Sequence, residues 1–233
     1  MPKFIKPMLL LSALLILPTA QANTVTDNTP WPVNKIETPR VSDRSSAAPE
    51  EKRPIFIFAF IHDDIPESAI SSLFKEHFLD WVKEITAVTG RRVSVEFVRN
   101  RPPYTNYSYK NTEVESYNGW ALLAQQYRRD KNLPHNKTTK FVLLTKNAMV
   151  DKAVLGVAGR GQPFGIASLL GKQVAGHELG HMFTADHDLS EVRYNGWWCE
   201  TFMAAKINQL LSNCYQYSKG NRERIVSYLD STP

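Results

Sequence analysis

The chain predicts an α/β sandwich, a sheet flanked by long helices. Two observations carry this. Apolar runs of strand length recur at 55–61 and 140–145, and stretches with apolar residues at helical spacing stand between them. Strands that alternate with helices bury both against one sheet. No internal repeat is visible, and 233 residues are enough for one domain with a sizeable core.

Residues 1–22 have the form of a secretory leader. Lys3 and Lys6 make a basic start, an apolar run covers 7–17, Pro18 breaks it, and Ala20-Gln21-Ala22 supplies a small-x-small cleavage point. The run is shorter than the roughly 20 residues a bilayer crossing needs. The expected mature chain has 211 residues (233 − 22) and is secreted or periplasmic. No cysteine lies near the cleavage point, which argues against a lipid anchor, and no later apolar stretch is long enough to span a membrane. Loss of Lys3 and Lys6 takes the formal charge from +5 to +3. The remaining arginines, Arg91-Arg92, Arg99, Arg101 and Arg128-Arg129, form no stripe, so solvated faces explain them better than a nucleic-acid partner does.

Residues 23–54 lack a hydrophobic period and contain Pro30, Pro32, Pro39, Pro49 and Pro54, which reads as a linker or short pro-segment. The domain is expected over 55–233. Its first strand, 55–61, is apolar throughout, as a strand covered on both faces must be. Pro66-Glu67 opens a helix whose apolar positions Ile70, Leu73, Phe74, Phe78, Trp81, Val82 and Ile85 keep a helical period up to Gly90. Residues 93–98 alternate as a second strand. Residues 101–118, rich in Tyr, Asn and Pro, read as a long loop. A second helix follows around Trp120, Leu122, Leu123, Gln126 and Tyr127 and ends before Pro134. Residues 140–145 make a third strand. Residues 153–158, flanked by glycines, make a fourth that suits a sheet edge, and 165–168 a short fifth.

A further helix, 171–185, carries the sequence's chemistry: His177-Glu178-Leu179-Gly180-His181, then His187 six residues on. Histidines at i and i+4 share one helical face and can bind one metal ion, and Glu178 beside them can take a proton from a metal-bound water. From this chain's own composition the five-residue pattern arises by chance with a probability of about 1%, and His187 as well lowers that to about 0.02%. His187 cannot share the helical face, because six residues at 1.5 Å rise place it about 9 Å further along. The helix must stop after His181 and the chain double back, a turn at which Gly is usual because it tolerates positive φ. Thr184 stands there instead, and a β-branched residue pays for positive φ. His187 leads as third ligand; Asp186, Asp188 and Glu191 are alternatives, and so is Glu200 if 197–211 forms a helix facing the site.

Cys199 and Cys214, the only cysteines, suggest one disulfide in an oxidising compartment, closing a loop worth about 3 kcal/mol in the chain-entropy model; two buried thiols are the alternative. His62, His77 and His135 are isolated and read as ordinary histidines.

With His177-Glu178-x-x-His181, His187-Asp188, Cys199 to Met203 and Asn213-Cys214 assembled, residues 55–230 resemble the metzincin zinc peptidases, most of all the adamalysin (reprolysin) branch. The specific part of the resemblance is 171–218, and Thr184 departs from its pattern. The resemblance implies a zincin catalytic domain with a mixed twisted sheet, an active-site helix and a mainly helical C-terminal subdomain. It implies Zn²⁺ on His177, His181 and His187, Glu178 as general base, and Met203 in a turn beneath the ligands, an ordinary core methionine being the alternative. Val154, Leu155, Gly156 and Val157 would form the edge strand to which an extended substrate adds. Tyr215 and Tyr217 are weaker candidates for stabilising an oxyanion. The implied activity is endopeptidase action on peptide or protein substrates by a monomer; the competing readings are an enzyme of narrow scope and a zinc-containing, non-catalytic binding module.

Overall fold

The structure, a computed structural model, describes residues 52–149, 154–208 and 210–231. The expected leader at 1–22 lies outside them, as do Ala153 and nearly all of the expected linker at 23–54.

The fold is α/β with a mixed five-stranded sheet. The strands are β1 (Ile55–Ile61), β2 (Val93–Val98), β3 (Thr139–Thr145), β4 (Gly156–Ala158) and β5 (Phe164–Ser168), in the order β2-β1-β3-β5-β4. All neighbours are parallel except β4, which runs antiparallel along the edge beside β5. Both faces of the sheet are covered, which is why Ile55–Ile61 and residues 141–144 read as unbroken apolar runs. On one face Phe58, Phe60, Phe141, Leu143 and Ile166 pack against Trp120, Ala124 and Tyr127 of α3 (Glu113–Asp130). On the other, Ile57, Ala59, Ile61, Val142, Leu144 and Ala167 meet four helices. These are α1 (Glu67–Leu73), α2 (Leu79–Thr89), α4 (Val174–Met182) and α5 (Lys219–Asp230). The chain leaves β1 toward one side of the sheet and β2 toward the other. Crossovers of one hand then place the intervening helices on opposite faces.

Several boundaries differ from expectation for identifiable reasons. The helix expected from Pro66 to Gly90 is interrupted: a π-helical stretch, Phe74–Phe78, separates α1 from α2. Gly90 ends α2 in the left-handed region, at φ 66°. The expected loop at 101–118 is shorter, because Thr112 and Glu115 form a reciprocal capping box that starts α3 at Glu113. The edge strand is also shorter than 153–158. Val154 and Leu155 precede β4, although the Leu155 carbonyl still accepts from the Ser168 amide at 2.7 Å. The motif helix is 174–182, not 171–185.

The C-terminal part is not mainly helical. It holds α5 and a second, three-stranded sheet of β6 (Val192–Tyr194), β7 (Trp198–Glu200) and β8 (Ser212–Asn213). The Cys199–Cys214 disulfide is present and ties β7 to the residue that follows β8. A helix over 197–211 does not form.

The helical face of the sheet also buries a cation. Lys140 of β3 is fully buried, with Nζ 4.9 Å from the Phe183 ring centroid and 5.0 Å from that of Tyr228. It donates to the Tyr228 hydroxyl at 3.1 Å. Burial pulls its pKa down from the ordinary lysine value to about 7. A group held below its unfolded pKa binds fewer protons when folded, so its burial penalty is full below pH 7 and is relieved as pH rises toward 10.5. Stability measured by thermal melting should therefore climb between pH 7 and 10 in the wild type. Lys140→Met should be the more stable form at pH 7 and should flatten that climb; an unchanged slope would show that Lys140 is not its source.

Candidate metal centre

Helix α4 lies against β5 and β4, with Val174, Ala175, Leu179 and Met182 buried. The opposite side carries His177 and His181, one turn apart. Beside them, Gly176 and Gly180 leave the helix without side chains where other chain segments press close. A Cβ on Gly176 would stand 2.9 Å from Phe202 Cδ1, and one on Gly180 would stand 2.8 Å from Tyr217 Cε1 and in contact with Met203 Sδ. The 202–203 segment and Tyr217 thus lie directly under the histidines. Met203 is fully buried there.

The turn after α4 solves the Thr184 problem by accepting the strain. Thr184 adopts φ 73°, a conformation that costs a non-glycine residue on the order of 1–3 kcal/mol and persists only where surroundings enforce it. The amides of Thr184 and Ala185 close the turn onto the carbonyls of His181 and Gly180, both at 2.9 Å. Asp186 then caps the short 3₁₀ turn His187–Leu189 by accepting from the His187 amide.

The result brings the three histidines together. His187 Nε2 stands 3.0 Å from His177 Nε2 and 3.0 Å from His181 Nε2. The other ring nitrogens are committed elsewhere. His177 Nδ1 lies 2.7 Å from the Phe202 carbonyl and His181 Nδ1 3.1 Å from the Ala185 carbonyl. A carbonyl only accepts, so both Nδ1 atoms carry their hydrogens, and both Nε2 atoms turn lone pairs toward His187. A neutral His187 has one hydrogen at most to share between them. A cation held among the three removes the lone-pair repulsion, and carbonyl-bound Nδ1–H groups are the usual outer support of metal-ligating histidines. Among the described residues, these three are brought close enough to hold a metal ion. Burial, reinforced by the neighbouring His181, holds the His177 pKa down to about 3, and burial lowers that of His181 as well. Both rings therefore favour the neutral form a metal requires.

The other candidates fall outside this cluster. Glu200 sits in β7 and its carboxylate accepts from the Asn208 amide at 3.2 Å. Asp186 pairs with Arg160 at 2.7 Å, Asp188 with Arg224 at 2.9 Å, and Glu191 with Arg193. Tyr217 is no oxyanion donor. Its buried hydroxyl donates to the Gly176 carbonyl at 2.6 Å and accepts from Trp81 Nε1 at 2.9 Å. His62 is held by Asp64 and the Tyr107 carbonyl.

The histidines open into a cleft of about 520 Å³. Its walls include β4 with Val154 and Leu155, Glu178, and Ala204 to Ile207 after Met203. The Glu178 carboxyl packs against Gly156, where a Cβ would stand 2.7 Å from Cδ. Burial raises the Glu178 pKa well above the ordinary carboxylate value, and the charge of Glu113 across the cleft adds to this.

Sequence reasoning did not single out Gly176, Glu84 or Asn221. Glu84 of α2 accepts the Tyr217 amide at 2.9 Å and both Arg222 donors at 2.8 and 2.9 Å, so it braces the floor of the site. A lone buried glutamate on an amphipathic helix has no signature of its own. The spacing of Gly176 and Gly180, four apart on the motif helix, was a readable sign of close approach.

The chain matches no model of a known protein family, and no match is found among curated proteins.

One divalent ion per chain is expected from elemental analysis after loading. Excess Zn²⁺ should raise the melting temperature, a ligand at one hundred times its Kd contributing about 2.7 kcal/mol. His187→Ala should lose most of that shift. An equal shift in the variant would place the ion elsewhere.

Proposed function

We propose that this chain is a zinc-dependent endopeptidase of the metzincin type, acting outside the cytoplasm on extended peptide segments. The observation that carries the reading is the convergence of three imidazole Nε2 atoms beside a buried carboxyl group, in a cleft bordered by a sheet edge.

The donor set favours zinc. Three neutral imidazoles with a fourth position left to solvent are a common catalytic arrangement for Zn²⁺. Tetrahedral bonds of about 2.05 Å would set the nitrogens about 3.3 Å apart, a few tenths from the spacing found. When bound, zinc lowers the pKa of a water ligand toward about 7 and polarises the scissile carbonyl.

The protein's own groups supply the rest. Glu178 takes the proton of the attacking water and passes it to the departing amine, and burial, which raises its pKa above the ordinary carboxylate value, makes it the stronger base. Strand β4 offers its outer edge to the main chain of the substrate, which fixes the scissile bond along the cleft. Gly156 keeps that edge clear of the Glu178 carboxyl. Phe202 and Ala185 orient His177 and His181 through their carbonyls.

The non-catalytic binding module has Thr184 as its only support; the intact Glu178, and a His187 Nε2 that lies 3.0 Å from both partners despite Thr184, favour the enzyme over it. Export rests on the form of residues 1–22 and on the Cys199–Cys214 bridge, which an oxidising compartment preserves. No helix among the described residues is long and apolar enough to cross a membrane.

Glu178→Gln should retain one zinc per chain while cleavage of a peptide library falls by a factor of about 10³ or more. Wild-type turnover by that variant would refute the mechanism. Gly156→Ala should likewise keep the metal and lower kcat, because the added methyl displaces the Glu178 carboxyl; unchanged kcat would show that this contact has no catalytic consequence.

A further inference from the structure

The chain uses a β-branched residue at a turn that favours glycine, and the means of holding that turn lies in the C-terminal helix. Asn221, fully buried in the first turn of α5, faces Asp186, the residue before His187. Its Oδ1 accepts the Asp186 amide at 2.8 Å and its Nδ2 donates to the Asp186 carbonyl at 3.0 Å. One side chain therefore satisfies both main-chain groups of that residue, much as a neighbouring strand would. Ser218 caps α5 by accepting the Asn221 amide at 3.2 Å, which fixes Asn221 itself.

The same helix grips the turn on either side of Asp186. Thr184 Oγ1 donates to the Arg224 carbonyl at 3.3 Å. The Arg224 guanidinium holds both oxygens of Asp188, at 2.9 and 3.2 Å. The Asp186 carboxylate is occupied by Arg160 and caps the His187 amide. Residues 184, 186 and 188 are thus all bound to α5, and His187 stands between the last two.

We propose that Asn221, assisted by Arg224, is the positioning residue of the third metal ligand: it clamps the 184–188 turn in the geometry that glycine would adopt unaided, and so holds His187 Nε2 against His177 and His181. None of these residues touches the metal. The inference rests on the three-histidine cluster and not on peptide cleavage, so it survives if the protein proves to be no peptidase.

The test is a double-mutant cycle on the full chain, read by Co²⁺ affinity from visible ligand-field absorption, with far-UV circular dichroism to confirm folding of the metal-free forms. Asn221→Ala should weaken Co²⁺ binding about 10- to 100-fold, the range for residues that orient ligands. In the Thr184→Gly chain, where positive φ carries no side-chain penalty, the same change should cost about tenfold less. Losses equal within about twofold in both backgrounds would overturn the clamp, as would undiminished affinity in Asn221→Ala. If Asn221→Ala does not fold, Arg224→Gln on the solvent side replaces it. A loss of about threefold or more that disappears in Thr184→Gly supports the proposal, and a loss indifferent to residue 184 overturns it.

Discussion

Two imidazole lone pairs, each aimed by a carbonyl behind its ring, meet a third ring nitrogen at 3.0 Å, and the site depends on holding that convergence. His177 and His181 have their Nδ1 hydrogens fixed by carbonyls at residues 202 and 185, and His187 is brought to 3.0 Å from both. Each of those carbonyls belongs to a different stretch of chain. The site exists only when the helix end, the segment around Met203 and the turn after Thr184 are all in place.

The rest of the fold holds those pieces together. The sheet supplies a flat support for α4 and, at its exposed edge, β4. The C-terminal stretch supplies everything beneath and beside the histidines. Tyr217 reaches from it to the Gly176 carbonyl and to Trp81, Glu84 joins it to α2 through Arg222, and Asn221 and Arg224 hold the turn. Apolar packing of Phe202, Met203 and Tyr217 is joined here by directed hydrogen bonds, and those of the buried Tyr217, Glu84 and Asn221 are costly to leave unpaired, which favours one arrangement of the site.

How much of this could be read in advance depended on whether a feature was local. The strands at 55–61 and 140–145, the helix stop at Gly90 and the pairing of His177 with His181 are set by periodicity within a few residues, and they stand where expected. The start of α3 was equally local. The pattern Thr112-x-x-Glu115 announces it, yet the Tyr- and Asn-rich composition around it drew attention away. The three-stranded sheet at 192–213 was harder to read: its strands are two or three residues long and contain exposed Trp198 and Tyr194, although β6 and β7 form a local hairpin across Asn195-Gly196. His187 lay in between. Its approach to the other two histidines was legible from spacing, but the turn that delivers it is bound by Asn221, thirty-five residues beyond Asp186.

The two glycines of α4 have a consequence for how this scaffold tolerates change. Gly176 and Gly180 fix how closely the helix approaches Phe202, Met203 and Tyr217 on the flank next to the histidines. A methyl group added at either would press on side chains that also floor the cluster, and Phe202 carries the carbonyl that orients His177. The spacing of the three imidazoles is thus gauged by two missing side chains, and variation that would pass unnoticed on most helices would here be felt at the cluster.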